Sequence, residues 1–144
     1  MNDLMTSELW DNIRYFKPGS KIDKWGDPYK MSVRLIFGLD NLRDYVGREI
    51  NIHCGYEVRE TGGLHPSGNA VDCHIKGLSL VDQFLVASRF EIFTGIGLYK
   101  CWRRQGLHLD NRPKKQALEP SARWICIEQG KYLAFNAGNF KKLF

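Results

Sequence analysis

The chain has 144 residues, enough for one domain that buries a core without staples. Hydrophobic residues at 43% and charged residues at 26% describe a globular protein, and no apolar run approaches the length that spans a bilayer. Lys plus Arg number 21 against 16 acids, giving +5 and a pI near 9.1; this suits an anionic polymer such as nucleic acid or bacterial cell wall, but only as a field effect. The clusters Arg103-Arg104, Lys114-Lys115 and Lys141-Lys142 are short and read as solvated surface. No nucleic-acid reading motif accompanies the charge, so nucleic-acid binding is not expected. Met1 to Glu8 carries acids where a secretory signal carries a basic flank, and lacks an apolar centre. The protein is therefore expected to be cytoplasmic as synthesised, reaching a cell wall only after release. Cys54, Cys73, Cys101 and Cys126 include no Cys-x-x-Cys pair and are read as free thiols, with Cys73 and Cys126 in the core.

Taken in order, Ser7 to Ile13 predicts a short helical turn, and Trp10, Phe16 and Trp25 are expected to pack across the domain. Met31 to Val46 is the clearest helix, capped by Ser32 and ended by Gly47, with Leu35, Ile36, Leu39, Leu42 and Val46 on its buried side. Arg48 to Val58 alternates as a strand, with Ile50, Ile52, Cys54 and Tyr56 on one face and Asn51, His53 and Gly55 on the other. Asn69 to Ile75 is a second strand, placing Val71, Cys73 and Ile75 inward and Ala70, Asp72 and His74 outward. Ser79 opens a helix whose buried side includes Leu80, Val81, Phe84 and Leu85. Strands follow around Phe93–Tyr99, Leu107–Asp110, Ala122–Glu128 and Lys131–Phe135, the last two joined by a Gln129-Gly130 turn, and a short basic tail ends at Phe144. The expectation is one α+β domain over 1–144, with a mainly antiparallel sheet and two principal helices. Gly95-Ile96-Gly97 alone does not make a nucleotide loop, because no third glycine or phosphate-binding lysine follows.

Chemistry concentrates in Gly63-Leu64-His65-Pro66-Ser67-Gly68-Asn69-Ala70-Val71-Asp72 and in Gly106-Leu107-His108-Leu109-Asp110. Two imidazoles and a carboxylate on short, glycine-bounded segments are a candidate three-ligand zinc set, since a catalytic zinc keeps three protein ligands and leaves a fourth position open. The alternative is polar loop residues that hold no metal. His108 and Asp110 project from one face of a strand.

The pattern His65-x-x-Gly68-x-Ala70-x-Asp72, followed by Gly95-x-Gly97-x-Tyr99 and then His108-x-Asp110, resembles the zinc D-alanyl-D-alanine carboxypeptidase family. That family includes phage L-alanyl-D-glutamate endopeptidases and vancomycin-resistance dipeptidases and shares a fold with the hedgehog signalling domain. Leu39 to Gly47, Cys54-Gly55-Tyr56 and Ala122-Arg123-Trp124 extend the likeness, which runs from about Phe16 to Trp124. The resemblance implies a hedgehog/DD-peptidase-like fold, one zinc ion on His65, Asp72 and His108, and hydrolysis of an amide in peptidoglycan stem peptides, with a phage lysis protein as one setting. A catalytically silent, zinc-containing cell-wall binding module is the other expectation. Two departures matter. Where the family has Ser-Gly-Tyr-Arg, with an arginine that grips the substrate carboxylate, this chain has Glu57 and its next arginine is Arg59, two positions on; Arg59 is either that substrate-binding group or a solvent-facing side chain. Where many members have an acid three residues before the second metal histidine, this chain has Gln105, which is no base. Asp110 is then the nearest catalytic acid or base, or else orients a ligand imidazole or Arg112; His53 and His74 are further candidates for proton transfer or oxyanion stabilisation.

Overall fold

Short polar caps set the helix boundaries. In the computed structural model, which describes residues 3–144, Thr6 caps a one-turn helix α1 (Ser7–Asp11). Met1 and Asn2 of the N-terminal stretch lie outside the described residues. The Ser32 hydroxyl accepts the Leu35 N–H at the start of α2 (Val33–Val46), and Gly47 closes that helix at φ 65°. Leu35, Ile36, Leu39 and Leu42 are fully buried on its inner side. Asp40 on the same helix accepts the backbone N–H groups of Arg14 and Tyr15, with the Arg14 guanidinium alongside. This fastens the N-terminal segment, whose buried Trp10 and Phe16 meet Trp25 edge-on at 5.4 and 5.6 Å.

The remaining elements are β1 (Ile50–Cys54), β2 (Ala70–Ile75), α3 (Leu80–Ala87), β3 (Gly95–Tyr99), β4 (Gly106–Asp110), β5 (Ala122–Glu128), β6 (Lys131–Ala134) and α4 (Ala137–Phe140). They form a six-stranded sheet in the order β1-β2-β4-β3-β5-β6. The domain is α+β, as its pattern of elements implies, but the sheet is mixed. Segment 111–121 crosses the Gly95 end of β3 from β4 to the far side, so β5 enters beside β3 in the same direction and that ladder is parallel; the other ladders among the described residues are antiparallel.

Period-2 alternation divides the sheet into two faces. Val71, Cys73, Ile75, Ile96, Leu98, Leu107, Leu109 and Ile125 join the buried sides of α2 and α3 in one core. Asp72, His74, His108, Asp110 and Trp124 alternate with them and belong to the other face. Ser79 caps α3, yet Leu85, expected inside, is 51% exposed. Gln83 takes the inner position. Its Oε1 accepts the Ile75 N–H, and its amide nitrogen donates to the carbonyls of Leu78 and Gln105. Bonding to three backbone groups where β2 ends and β4 begins thus turns a glutamine inward rather than a leucine. The tail, read only as short and basic, forms α4 and a final turn over Lys141–Leu143 that buries Leu143. No helix among the described residues is long and apolar enough to cross a membrane.

Candidate metal centre

His65 begins a single 3-10 turn (His65–Ser67) that Pro66 starts and Gly68 ends at φ 73°. Any side chain at Gly68 would overlap the Lys30 carbonyl, so both backbone conformation and space demand glycine there. The Gly68 carbonyl accepts the Ser32 N–H, which docks the turn on the start of α2 and holds His65 at 2% exposure. His65 Nδ1 lies 2.7 Å from the Gly55 carbonyl and donates to it, which leaves Nε2, 3.4 Å from Asp72 Oδ1, as the nitrogen that carries a proton toward Asp72 or gives it up to offer a lone pair to a metal.

Asp72 on β2 pairs directly with His108 on β4 at the centre of the sheet. His108 Nδ1 is 3.1 Å from the same Asp72 Oδ1, and its Nε2 is 2.8 Å from Asp110 Oδ2. Each imidazole therefore has one nitrogen committed to a fixed acceptor and the other turned on one carboxylate oxygen. Metal-ligating histidines are oriented in this way. The three residues singled out from the sequence are brought together.

Asp110 is fully buried, and both its oxygens are engaged. Oδ2 takes His108 Nε2 and Arg112 Nη2 (2.7 Å), while Oδ1 takes Arg112 Nε (2.9 Å) and the Arg112 backbone N–H (3.1 Å). Burial opposes its charge, but hydrogen bonds from His108 and Arg112 outweigh this and hold its carboxyl well below the usual range. The glycines of β3 explain how the carboxylate fits. Gly95 pairs with Asp110, and a Cβ at 95 would overlap the carboxylate. A Cβ at Gly97 would overlap the Trp124 indole, which tilts against the His108 ring at 5.3 Å and donates Nε1–H to Tyr99. The two glycines thus make way for side chains of the neighbouring strands.

Strict alternation puts Cys54 on the core face with Ile50 and Ile52. A β-bulge overturns that placement: Ile52 faces Cys73 but Cys54 faces Asp72, so His53 is an extra residue and the alternation reverses. Cys54 Sγ lies 3.7 Å from His65 Nδ1, and donor atoms of Cys54, His65 and Asp72 all fall within 4.8 Å of one another. Two candidate donor sets consequently share His65 and Asp72: the compact one is completed by Cys54, whereas His108 joins the other through Asp72 Oδ1 and lies outside that 4.8 Å group. Imidazole, carboxylate and thiolate are all zinc ligands, so the chemistry of either set fits that ion.

Arg59 is carried by the loop after β1 to the rim of a cavity of about 470 Å³, shared with His65, Tyr99, His108, Trp124 and Tyr132. There it is paired with Glu57 at 2.7 Å. The two-residue displacement has not taken it from the site. Gln105 is exposed in the turn before β4. His53 and His74 are in ring-nitrogen contact on the other side of Asp72, bordering a cavity of about 780 Å³. Burial first, and then nearby cations, lower both imidazoles below their ordinary value. Cys54 and Trp124 stand at the candidate site, a place that sequence reasoning does not assign them. A bulge leaves no mark in an alternating pattern, although the Gly-x-Gly opposite Trp124 is a usable sign of a ring lying across β3.

Burial works against charge on His65, but bonding to Asp72 and Cys54 prevails and raises its pKa to about 9 in the metal-free protein. Because the folded value exceeds the ordinary one near 6.5, this contribution to stability is complete below about pH 6.5 and lost as pH rises toward 9. Metal binding has the opposite sign, since it needs the same imidazole deprotonated. In thermal melts from pH 6 to 9, chelated protein is expected to lose stability with rising pH, while the increment given by added zinc grows. Parallel curves would remove His65 from the metal site.

Compared with protein-family models, curated proteins and solved structures, the chain finds no match.

Proposed function

We propose that this chain is a zinc-dependent hydrolase of amide bonds in peptidoglycan stem peptides. The observation that carries the reading is the convergence of His65 Nε2 and His108 Nδ1 on Asp72 Oδ1, each ring fixed from behind by an acceptor. A six-stranded sheet with helices on one face and this cluster on the other supports the likeness to the DD-peptidase and hedgehog fold. His65, Asp72 and His108 would hold one ion. Zinc chemistry at such a set consists of polarising an amide carbonyl and activating water near neutral pH. The protein's own contribution is positional. Asp110 keeps the His108 Nδ1 lone pair on the site, and its charge is balanced by Arg112. Arg59 offers its guanidinium to a substrate carboxylate at the rim, where Glu57 holds it in the absence of substrate.

A second reading, a metal-holding cell-wall binding module without turnover, is favoured by one feature. Asp110 has no oxygen left to accept a proton from water, and Gln105 supplies no acid. Mass spectrometry of purified peptidoglycan incubated with the protein, with and without chelator, separates the two. New peptide fragments that vanish with chelator are expected. Their absence with folded, zinc-loaded protein that still sediments with the cell wall would establish the binding module.

A further inference from the structure

Asp72 stands between two unlike halves of one cleft. The half beyond His108 is aromatic, with Tyr99, Trp124 and Tyr132 beside Arg59. The other half, about 780 Å³, is bordered by Lys24, Lys76, Arg103 and Arg104 with the His53–His74 pair, and Asp72 is its sole carboxylate among the described residues. That carboxylate is already taken by His65 and His108. Among the described residues, Lys24, Arg103 and Arg104 form no ion pair, and Lys76 has only a 3.5 Å surface contact with Glu49. Four cations from three separate segments thus share one concavity, three of them in no ion pair among the described residues, an arrangement that repels itself and attracts an anion.

The shape narrows the choice of anion. Single-stranded nucleic acid needs open aromatic faces on which bases stack. Trp102, the one indole here, is stacked on Tyr99 at 4.3 Å and meets His53 edge-on at 5.6 Å, so it is already occupied. Guanidinium groups bind carboxylates and phosphates alike, so with no free face for base stacking the carboxylates of a peptide are the anion that fits. We propose that this half of the cleft is a subsite for the carboxylate-bearing stretch of a peptide whose bond to be cut lies at the Asp72 cluster. Its role as a substrate subsite rests on the hydrolase reading above, whereas its preference for acidic peptide does not. Arg103 and Arg104, which look like solvated surface in the sequence, become the residues that set this preference.

The test uses the full zinc-loaded chain with synthetic hexaglutamate and hexaglutamine as probes, followed by amide NMR titration. Hexaglutamate is expected to shift Lys24, Lys76 and Trp102 to Arg104 saturably, and hexaglutamine is not. Arg103→Gln with Arg104→Gln should weaken hexaglutamate at least about tenfold, while the remote pair Lys141→Gln with Lys142→Gln should not. Equal binding of hexaglutamine, unchanged affinity in the arginine variant, or equal loss in the lysine variant would overturn the proposal, the last showing diffuse attraction to a +5 chain. So would displacement of hexaglutamate by a lower concentration of ten-residue oligothymidylate, which would mark a nucleic-acid track. Hexaglutamate binding without peptidoglycan cleavage leaves an acidic-peptide site standing and removes both the hydrolase and the substrate role of this site; cleavage without hexaglutamate binding keeps the hydrolase and overturns the site.

Discussion

An Asp72→Ala chain is expected to lose stoichiometric zinc and all chelator-sensitive cleavage while keeping its circular dichroism spectrum. Both imidazoles meet at Asp72 Oδ1, so the substitution removes a donor and also the negative charge that neutralises the site. Loss of a partner outside the ligand set costs roughly 10- to 100-fold in metal affinity, and loss of a ligand should exceed that, to more than about 100-fold. The side chain faces the cleft and not the core, so the fold has little to lose. Metal analysis of the purified variant beside His108→Ala and Cys54→Ser decides between the two donor sets. Zinc retained in His108→Ala but lost in Cys54→Ser would assign the ion to Cys54, His65 and Asp72.

The second large effect is expected at Asp110, and it falls on stability first. Asp110→Asn leaves Arg112 without its buried counter-charge and places an amide where only acceptors fit. Breaking a buried pair from one side costs about 3 to 5 kcal/mol; the lower end applies here because the Arg112 side chain, 38% exposed, can turn to solvent. The introduced amide can present its nitrogen to His108 Nε2, which would turn the ring's other nitrogen from acceptor to donor. Zinc affinity should therefore fall by about 10- to 100-fold as well. Urea unfolding and a zinc titration on the same preparation check both parts. A variant of native stability that binds zinc normally but has lost turnover would instead make Asp110 the catalytic base.

The elements on which the site rests are largely legible because their signals are local. Ser32 and Gly47 delimit α2 by hydrogen bonding and backbone conformation, and the alternation of β2 and β4 puts Asp72 and His108 on one face wherever those strands lie. Their pairing in direct register is a matter of tertiary structure that neither strand's own pattern specifies. What the sequence hides are departures from periodicity. The bulge at His53 reverses the side of Cys54, and the hydrogen-bonding needs of Ile75, Leu78 and Gln105 place Gln83 where hydrophobicity places Leu85. The parallel run of β5 beside β3 depends on the path of segment 111–121, which carries no pattern of its own.

The central pairing of β2 with β4 also governs how the site can fail. Loops at an active site commonly open by local fluctuation, at a free energy well below that of whole-domain unfolding. Asp72 and His108 have no such route, because each is flanked on both sides by another strand, β1 beyond β2 and β3 beyond β4. Separating them means tearing the middle of the sheet, so their spacing should persist up to the melting of the domain itself. Arg59, Glu57 and the glycine-rich entry at Gly62-Gly63 lie outside that lattice. Adaptation to different ligands is thus left to the rim, over a floor that breathes only when the whole molecule does.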